Sequence, residues 1–277
     1  MPGTGRRPVL RAVGTVTVLA CAMLLLVASP AVHASSGLLR LLQMNLCDSG
    51  DAGCYTGRAV TEAATVIHAD APDIVTLNEI CANDLGDLTP ALAGVHLGGT
   101  VISAFEADVS SRTGNTVHCR NGQAYGIGIL AYLPSPAPDF RRYSGLYPMQ
   151  EHRGENRAWL CIDASPYISA CTTHLADDTV SVALAQCEYL LSTAIPALRT
   201  SNPTAPALVG ADLNLRAPAA EPCLPAGYAR RDDGGVQEVI SSPELAVVAD
   251  QRIDLRGATD HPGLLVTLRL SARVPGP

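Results

Sequence analysis

Asp73-Ile74-Val75-Thr76-Leu77-Asn78-Glu79 runs from an acid through four apolar or β-branched residues to a carboxamide and a carboxylate. Ala71-Pro72 breaks the chain just before it, and Ile74–Leu77 reads as a buried strand whose far end carries the polar pair. The same design recurs on both sides. Leu38–Met44 runs into Asn45, Ile168–Thr173 into His174, and Ala207–Val209 into Gly210-Ala211-Asp212-Leu213-Asn214, with Thr259-Asp260-His261 near the C-terminus. Apolar runs that each deliver a carboxylate, carboxamide or imidazole at one end are the pattern expected when a rigid sheet scaffold presents a reactive rim.

Between these runs the chain alternates. Ala59–His68 reads as a helix, Gly126–Leu133 as a buried strand, and Trp159–Asp163 with Ile168–Thr173 as an antiparallel pair turned at Pro166. Val180–Leu198 reads as one long helix, and Ala207–Leu213, Val236–Ile240 and Leu264–Leu270 as further strands. Hairpins mixed with crossovers point to mixed sheets rather than a purely parallel one. No internal repeat or low-complexity linker divides the chain, so one large domain spanning residues 35–277 is expected.

The first 34 residues read as an export signal. Arg6, Arg7 and Arg11 form a basic start, Val13–Val27 an almost wholly apolar stretch, and Ala31-Val32-His33-Ala34 a small-residue cleavage site. Arg6-Arg7-Pro8-Val9-Leu10-Arg11 also resembles a twin-arginine signal, so either export route remains open. No stable membrane span is expected after processing. All 19 basic residues are Arg, which excludes a catalytic lysine; without the leader, 16 Arg stand against 26 acids, a net charge of −10. That balance argues against tight non-specific binding of nucleic acid, though not against a nuclease neutralised locally by divalent cations. Past Cys21 in the leader, eight cysteines remain. An even number in an exported chain implies disulfides, with Cys47–Cys54 closing a Gly-rich loop and Cys161–Cys171 stapling the predicted hairpin.

The ordered blocks Asp73–Glu79, Thr173-His174-Leu175, Gly210–Asn214 and Asp260-His261 resemble the endonuclease/exonuclease/phosphatase superfamily, over nearly the whole span from Leu38 to Leu270. The resemblance implies a deoxyribonuclease I-like α/β fold: a four-layer sandwich of two mixed β-sheets flanked by helices. It implies phosphoester hydrolysis by in-line attack of water with Mg²⁺, or alternatively Mn²⁺ or Ca²⁺, which take hard oxygen ligands. By the same resemblance Glu79, Asn45 and Asp260 are the metal residues. Asp212 orients or deprotonates the water and Asn214 donates to phosphate, while His174 and His261 assist the charge changes. Arg157 is placed for phosphate contact or a structural salt bridge, and Tyr125 near the phosphate. The superfamily pairs the C-terminal histidine with an acid from an earlier strand. Here that position is Gln237, with Asp254 as a competing alignment.

A secreted, monomeric nuclease or phosphodiesterase is therefore the leading expectation, with nucleic acid ahead of phospholipid as substrate. Arg112, Arg120, Arg141, Arg142 and Arg153 are available for a polyanion, and no apolar membrane-docking hairpin is evident. A sphingomyelinase-like phospholipid phosphodiesterase, or an exported binding protein that keeps the fold without turnover, are the alternatives.

Overall fold

The computed structural model describes residues 1–3 and 37–270, apart from Pro166, Asn202 and Thr204. The expected leader beyond its first three residues, its cleavage site and the Pro166 turn lie outside the described residues. In chain order the strands are β1 (Leu38–Asn45), β2 (Ile74–Cys81), β3 (Thr100–Ala107), β4 (Val109–Ser110), β5 (Tyr125–Leu133), β6 (Arg141–Leu146), β7 (Glu155–Asn156), β8 (Ala158–Ala164) and β9 (Ile168–His174). They continue with β10 (Ala207–Asp212), β11 (Ala229–Asp232), β12 (Gln237–Ser241), β13 (Leu245–Ile253) and β14 (Gly263–Leu270). The helices are α1 (Ala59–Asp70), α2 (Asp84–Gly94), α3 (Val180–Tyr189) and, after a π-helical turn at Leu190–Ala194, α4 (Ile195–Leu198).

Two six-stranded mixed sheets result, ordered β13-β14-β1-β2-β5-β3 and β11-β12-β10-β9-β8-β6, with β4 and β7 forming a separate ribbon. Each sheet has one parallel pair at its heart, β1 with β2 and β9 with β10. A parallel pair needs a crossover, and α1 and the α3–α4 segment supply them. Three apolar layers follow. Leu41, Ile74, Ile129, Leu160, Leu208 and Val266 belong to the cluster between the sheets. Val66, Ile67, Leu88 and Leu92 pack α1 and α2 on the first sheet, while Ala183, Leu190, Leu191 and Ile195 pack the long helix on the second. This is the four-layer α/β sandwich expected from the sequence.

Val180–Leu198 is long and apolar enough to cross a membrane by length and composition alone. Here it covers the second sheet, and Cys187 ties it to Cys223. Cys47–Cys54 and Cys161–Cys171 are bonded as expected, and Cys81–Cys119 completes a set of four disulfides that accounts for all eight cysteines among the described residues. Such a set is consistent with an oxidising environment.

Close approach of the sheets is set by Gly210. A Cβ built there would lie 2.1 Å from Thr76 Oγ1 and 2.8 Å from Leu41 Cδ2. Thr76 cannot retreat freely, because its hydroxyl donates to Gln43 Oε1 at 2.6 Å. Gly210→Ala should therefore destabilise the fold by about 1–3 kcal/mol, read as a lower midpoint in urea unfolding.

The second prediction concerns Asp84 at the start of α2. Burial, with Asp48 and Asp87 nearby, pushes its carboxyl up to about 7 against the opposing bond from Cys81 N. A raised carboxyl means that the folded chain holds the proton more tightly, so this group's contribution is full at low pH and is lost as pH rises through 7. Asp84→Asn keeps an acceptor for Cys81 N, so its melting temperature should match wild type at about pH 4 and exceed it at about pH 8.5.

Candidate active site

The two parallel pairs bring four polar strand ends to one edge. Asn45 stands opposite Asn78 in the first sheet, and His174 opposite Asp212 in the second. The antiparallel neighbours begin where these strands end. Gln237 at the start of β12 pairs with Asp212, and Asp260-His261 immediately precedes β14 beside β1. One rim thus collects Asn45, Glu79, His174, Asp212, Asp260 and His261.

Alternation along β2 would send Asn78 and Glu79 to opposite faces. Both nevertheless reach the second sheet. The register slips between Leu77 and Ile80, and Glu79 takes a left-handed backbone, φ +55°. A bulge of this kind re-aims a side chain at some cost in strain. Glu79 Oε1 accepts from Asn45 Nδ2 at 2.8 Å and lies 4.0 Å from His174 Nε2.

Asp212 is wholly buried and surrounded by N–H donors. Oδ2 accepts from Gln237 Nε2 at 2.6 Å and Asn45 Nδ2 at 3.1 Å, and Oδ1 from Asn214 N at 3.1 Å. Burial raises its pKa, opposed by the His261 charge and these bonds. Asn214 does not continue the extended strand as the alternation of the motif predicts. Its φ is +52°, and Nδ2 donates to Leu175 O at 2.9 Å, leaving one amide hydrogen free.

The structure differs from two further expectations. Gln237 does not partner His261; it donates to Asp212 instead. Asp254 accepts from the backbone N of Arg256, and the acids within 4.0 Å of His261 are Asp212 and Asp260. His261 Nε2 sits between two carboxylates, 3.8 Å from Asp212 Oδ2 and 3.7 Å from Asp260 Oδ1. Asn45 turns its amide nitrogen to Glu79 and Asp212, and its oxygen accepts from Cys47 N at 3.1 Å. Its nitrogen thus donates to both acids, while its oxygen, held by Cys47, keeps a second lone pair.

Arg157 is buried. It donates to Glu155 Oε1 at 2.6 Å, Asp177 Oδ1 at 3.0 Å and His174 Nδ1 at 3.0 Å. Of the two roles the sequence leaves open, these contacts favour the structural one. A guanidinium only donates, so Nδ1 of His174 accepts and the ring proton sits on Nε2, facing Glu79. Burial, then the Arg157 and His261 charges, hold His174 well below the usual histidine range. It is a neutral donor. Tyr125 is buried, and burial with the neighbouring Glu79, Glu155 and Asp108 raises its phenol well above the usual range. Asp108 and Glu155, which sequence reasoning missed, form with Arg157 a buried charged cluster behind Glu79. Neither ends a strongly apolar run, so the strand-end signal is silent for both.

The donor set fits a hard divalent cation. Burial, then Asp212, Glu155 and Asp260 raise the carboxyl of Glu79 against the Asn45 bond, a surplus of negative charge that a cation relieves. Among the described residues, two triads place ligand atoms within 4.8 Å of one another, Cys47/Cys54/Glu79 and Asp48/Cys81/Asp84. Their sulfurs are disulfide-bonded, so the rim offers a cation carboxylate oxygens, those of Glu79, Asp212 and Asp260. A cleft of about 410 Å³ opens on the Asp260 side of the rim, lined by His261, Asp260, Thr259, Asp254 and Arg252 among others.

No family model and no curated protein matches the sequence. Solved structures do. An endonuclease/exonuclease/phosphatase from Beutenbergia cavernae superposes with a TM-score of 0.62 at 18% identity, over 85% of this chain and 72% of that one. The fold is that of the endonuclease/exonuclease/phosphatase proteins. The human Nocturnin catalytic domain, solved with a bound sulfate anion, shares this fold with a TM-score of 0.62 at 14% identity, over 84% of this chain and 94% of that one. Truncated TDP2 from Caenorhabditis elegans shares it with a TM-score of 0.58 at 16% identity, over 84% and 98%.

Removing Arg157 tests the positioning role within this fold. Arg157→Met leaves Glu155 without its cation and His174 without its Nδ1 donor, and should cost about 3–5 kcal/mol of stability in urea unfolding. A loss below about 1 kcal/mol, the range of exposed pairs, would show the cluster to be solvated.

Proposed function

We propose that the protein is an exported, divalent-cation-dependent phosphoester hydrolase, a nuclease or phosphodiesterase acting by in-line attack of water. The observation that carries this reading is the convergence of Glu79, His174, Asp212, Asp260 and His261 at one rim, from both sheets, with an imidazole 4.0 Å from one acid and another 3.8 Å from a second. Glu79 and Asp260 would hold the cation, Mg²⁺ first and Mn²⁺ or Ca²⁺ as substitutes. When bound, such an ion neutralises phosphate oxygens and lowers the charge barrier to nucleophilic attack.

The chain's own groups have distinct tasks. Asp212, held by N–H donors from Gln237, Asn45 and Asn214, is the acceptor that orients or deprotonates the attacking water. His174 offers a neutral Nε2–H and Asn214 its free amide hydrogen to phosphate oxygens. His261, flanked by two carboxylates, stabilises negative charge on the phosphoryl group or protonates the leaving oxygen. Tyr125, kept protonated by its surroundings, is a further donor near Glu79.

The rim beside His261 supports nucleic acid over phospholipid, since Arg252, Asp254, Thr259 and Asp260 make it polar where a lipid-docking surface needs apolar side chains. Of the five arginines available for a polyanion, Arg120, Arg142 and Arg153 are paired with Asp51, Glu106 and Asp178. Affinity for a polyanion should accordingly be modest and depend on the cation. Export is supported by the four disulfides together with the basic-then-apolar leader.

Incubating mature protein with plasmid DNA, bis-p-nitrophenyl phosphate and sphingomyelin, with Mg²⁺ or with chelator, tests the proposal. DNA and the diester should be cleaved only with the cation, and Asp212→Ala and His261→Ala should each lower kcat by at least about 100-fold. Hydrolysis of none of the three, or activity surviving both substitutions, would defeat it.

A further inference from the structure

Gln43, Asn78, Gln237 and Asp212 form a continuous hydrogen-bonded chain between the sheets, and every one of these side chains is fully buried. A carboxamide can usually turn over, exchanging oxygen for nitrogen. Here the backbone forbids it. Asn78 Oδ1 accepts from the backbone N of Asp212 at 2.9 Å, while its Nδ2 donates to the carbonyl of Thr173 at 3.0 Å. Neither backbone group can reverse its role. With Asn78 fixed, Gln43 must turn Nε2 toward Asn78 Oδ1, at 2.6 Å, and its Oε1 then accepts from Thr76 Oγ1. The second hydrogen of Gln43 Nε2 goes to Gln237 Oε1 at 2.9 Å. Gln237 is thereby left with Nε2 facing Asp212 Oδ2, at 2.6 Å.

We infer that Gln43 is a positioning residue for the hydrolysis, acting on Asp212 solely through the orientation of the Gln237 carboxamide. Gln43 touches neither Asp212 nor the rim. Its donor sets which end of Gln237 meets the acid, and so fixes the Asp212 carboxylate in the rotamer that faces Asn45 and His261. Without that donor, Gln237 is free to present its oxygen, which would repel Asp212 Oδ2 and turn the carboxylate away. The kinetic part of this inference rests on the proposed hydrolase reading; the structural part does not.

The test is a double-mutant cycle on the full mature protein. Gln43→Glu keeps size but removes the amide donor, so the Gln237 oxygen loses its partner and the Gln237 carboxamide its fixed orientation toward Asp212. Kinetically, kcat for bis-p-nitrophenyl phosphate should fall by about 10–100-fold while KM stays within about twofold. Gln237→Met should give a similar fall, and the double variant should be no worse than Gln237→Met alone, because Gln43 then has nothing to orient. Should Gln43→Glu not fold, Gln43→Met, which removes the donor without adding charge, carries the same comparison. Independently of turnover, the side-chain NH₂ of Gln237 should give a protected, downfield NMR pair in the wild type that shifts in the Gln43 variant. Losses that simply add, a rise in KM alone, or an unchanged Gln237 NH₂ signal would overturn the relay. Absence of hydrolysis by the wild type would defeat the hydrolase reading, and the NMR signal would still decide the relay.

Discussion

A layer of carboxamides that cannot turn, sealed between two sheets, is the constraint on which the polar rim depends. Burying an amide without partners costs several kcal/mol, and an isolated carboxylate costs more. Gln43, Asn45, Asn78, Gln237 and Asp212 escape that penalty because each meets partners of fixed polarity. The layer forms only because Gly210 lets the second sheet approach Thr76 and Leu41. The glycine of the Gly-Ala-Asp-Leu-Asn stretch therefore serves packing, while the aspartate two residues later carries the proposed chemistry.

The chain beyond each strand end is covalently restrained as well. Cys47 follows Asn45 by two residues and bonds Cys54; Cys81 follows Glu79 by two and bonds Cys119. The backbone N of Cys47 also holds the Asn45 oxygen, so the first bridge lies one hydrogen bond from the donor that orients Glu79 and Asp212. Glu79 keeps a left-handed backbone, which a carboxylate in a strand does not adopt unless its surroundings over-determine it. The bulge, the Asn45 bond and the bridge at Cys81 are those surroundings. Strain at Glu79 is thus held by packing and covalent bonds rather than by local preference.

Most of the scaffold was legible because buried parallel strands write themselves as apolar runs. β1, β9 and β10 are legible nearly to their ends, with the polar residue at each, whereas β2 is legible only over Ile74–Leu77, since it runs on past Asn78 and Glu79 to Cys81. Other elements carry weaker signals. β13 is exposed along most of its length, β6 lies at a sheet edge, and α2 contains Pro90, so none shows a clean period. At the rim, residue types were legible but directions were not. Alternation placed Asn214 on the same face as Asp212, and a left-handed backbone removed it. No linear pattern reveals that Asn45 presents nitrogen rather than oxygen, because the deciding group is the backbone N of Cys47. Asp108 escaped notice because its importance comes from Arg157, which meets it only in three dimensions, and Glu155, two residues before Arg157, ends no apolar run.

Gln237 shows how a departure from a family pattern becomes meaningful once its neighbours are known. An acid at this position would sit against Asp212 at hydrogen-bond distance, in a rim where Asp212 and Asp260 already act against the charge of Glu79. Two carboxylates in such contact cannot both stay ionised. A carboxamide of the same reach avoids the conflict and contributes a donor, so Asp212 gains an N–H partner where it would have gained a like charge. His261 in turn loses a dedicated acid and sits between Asp212 and Asp260. The net effect moves one negative charge away from the β12 side of the rim and leaves the histidine to share its partners. A glutamine is compatible with an acidic rim of this kind only if its nitrogen is made to face the carboxylate, and Gln43, fixed in turn by Asn78 and Thr76, is the residue that makes it do so.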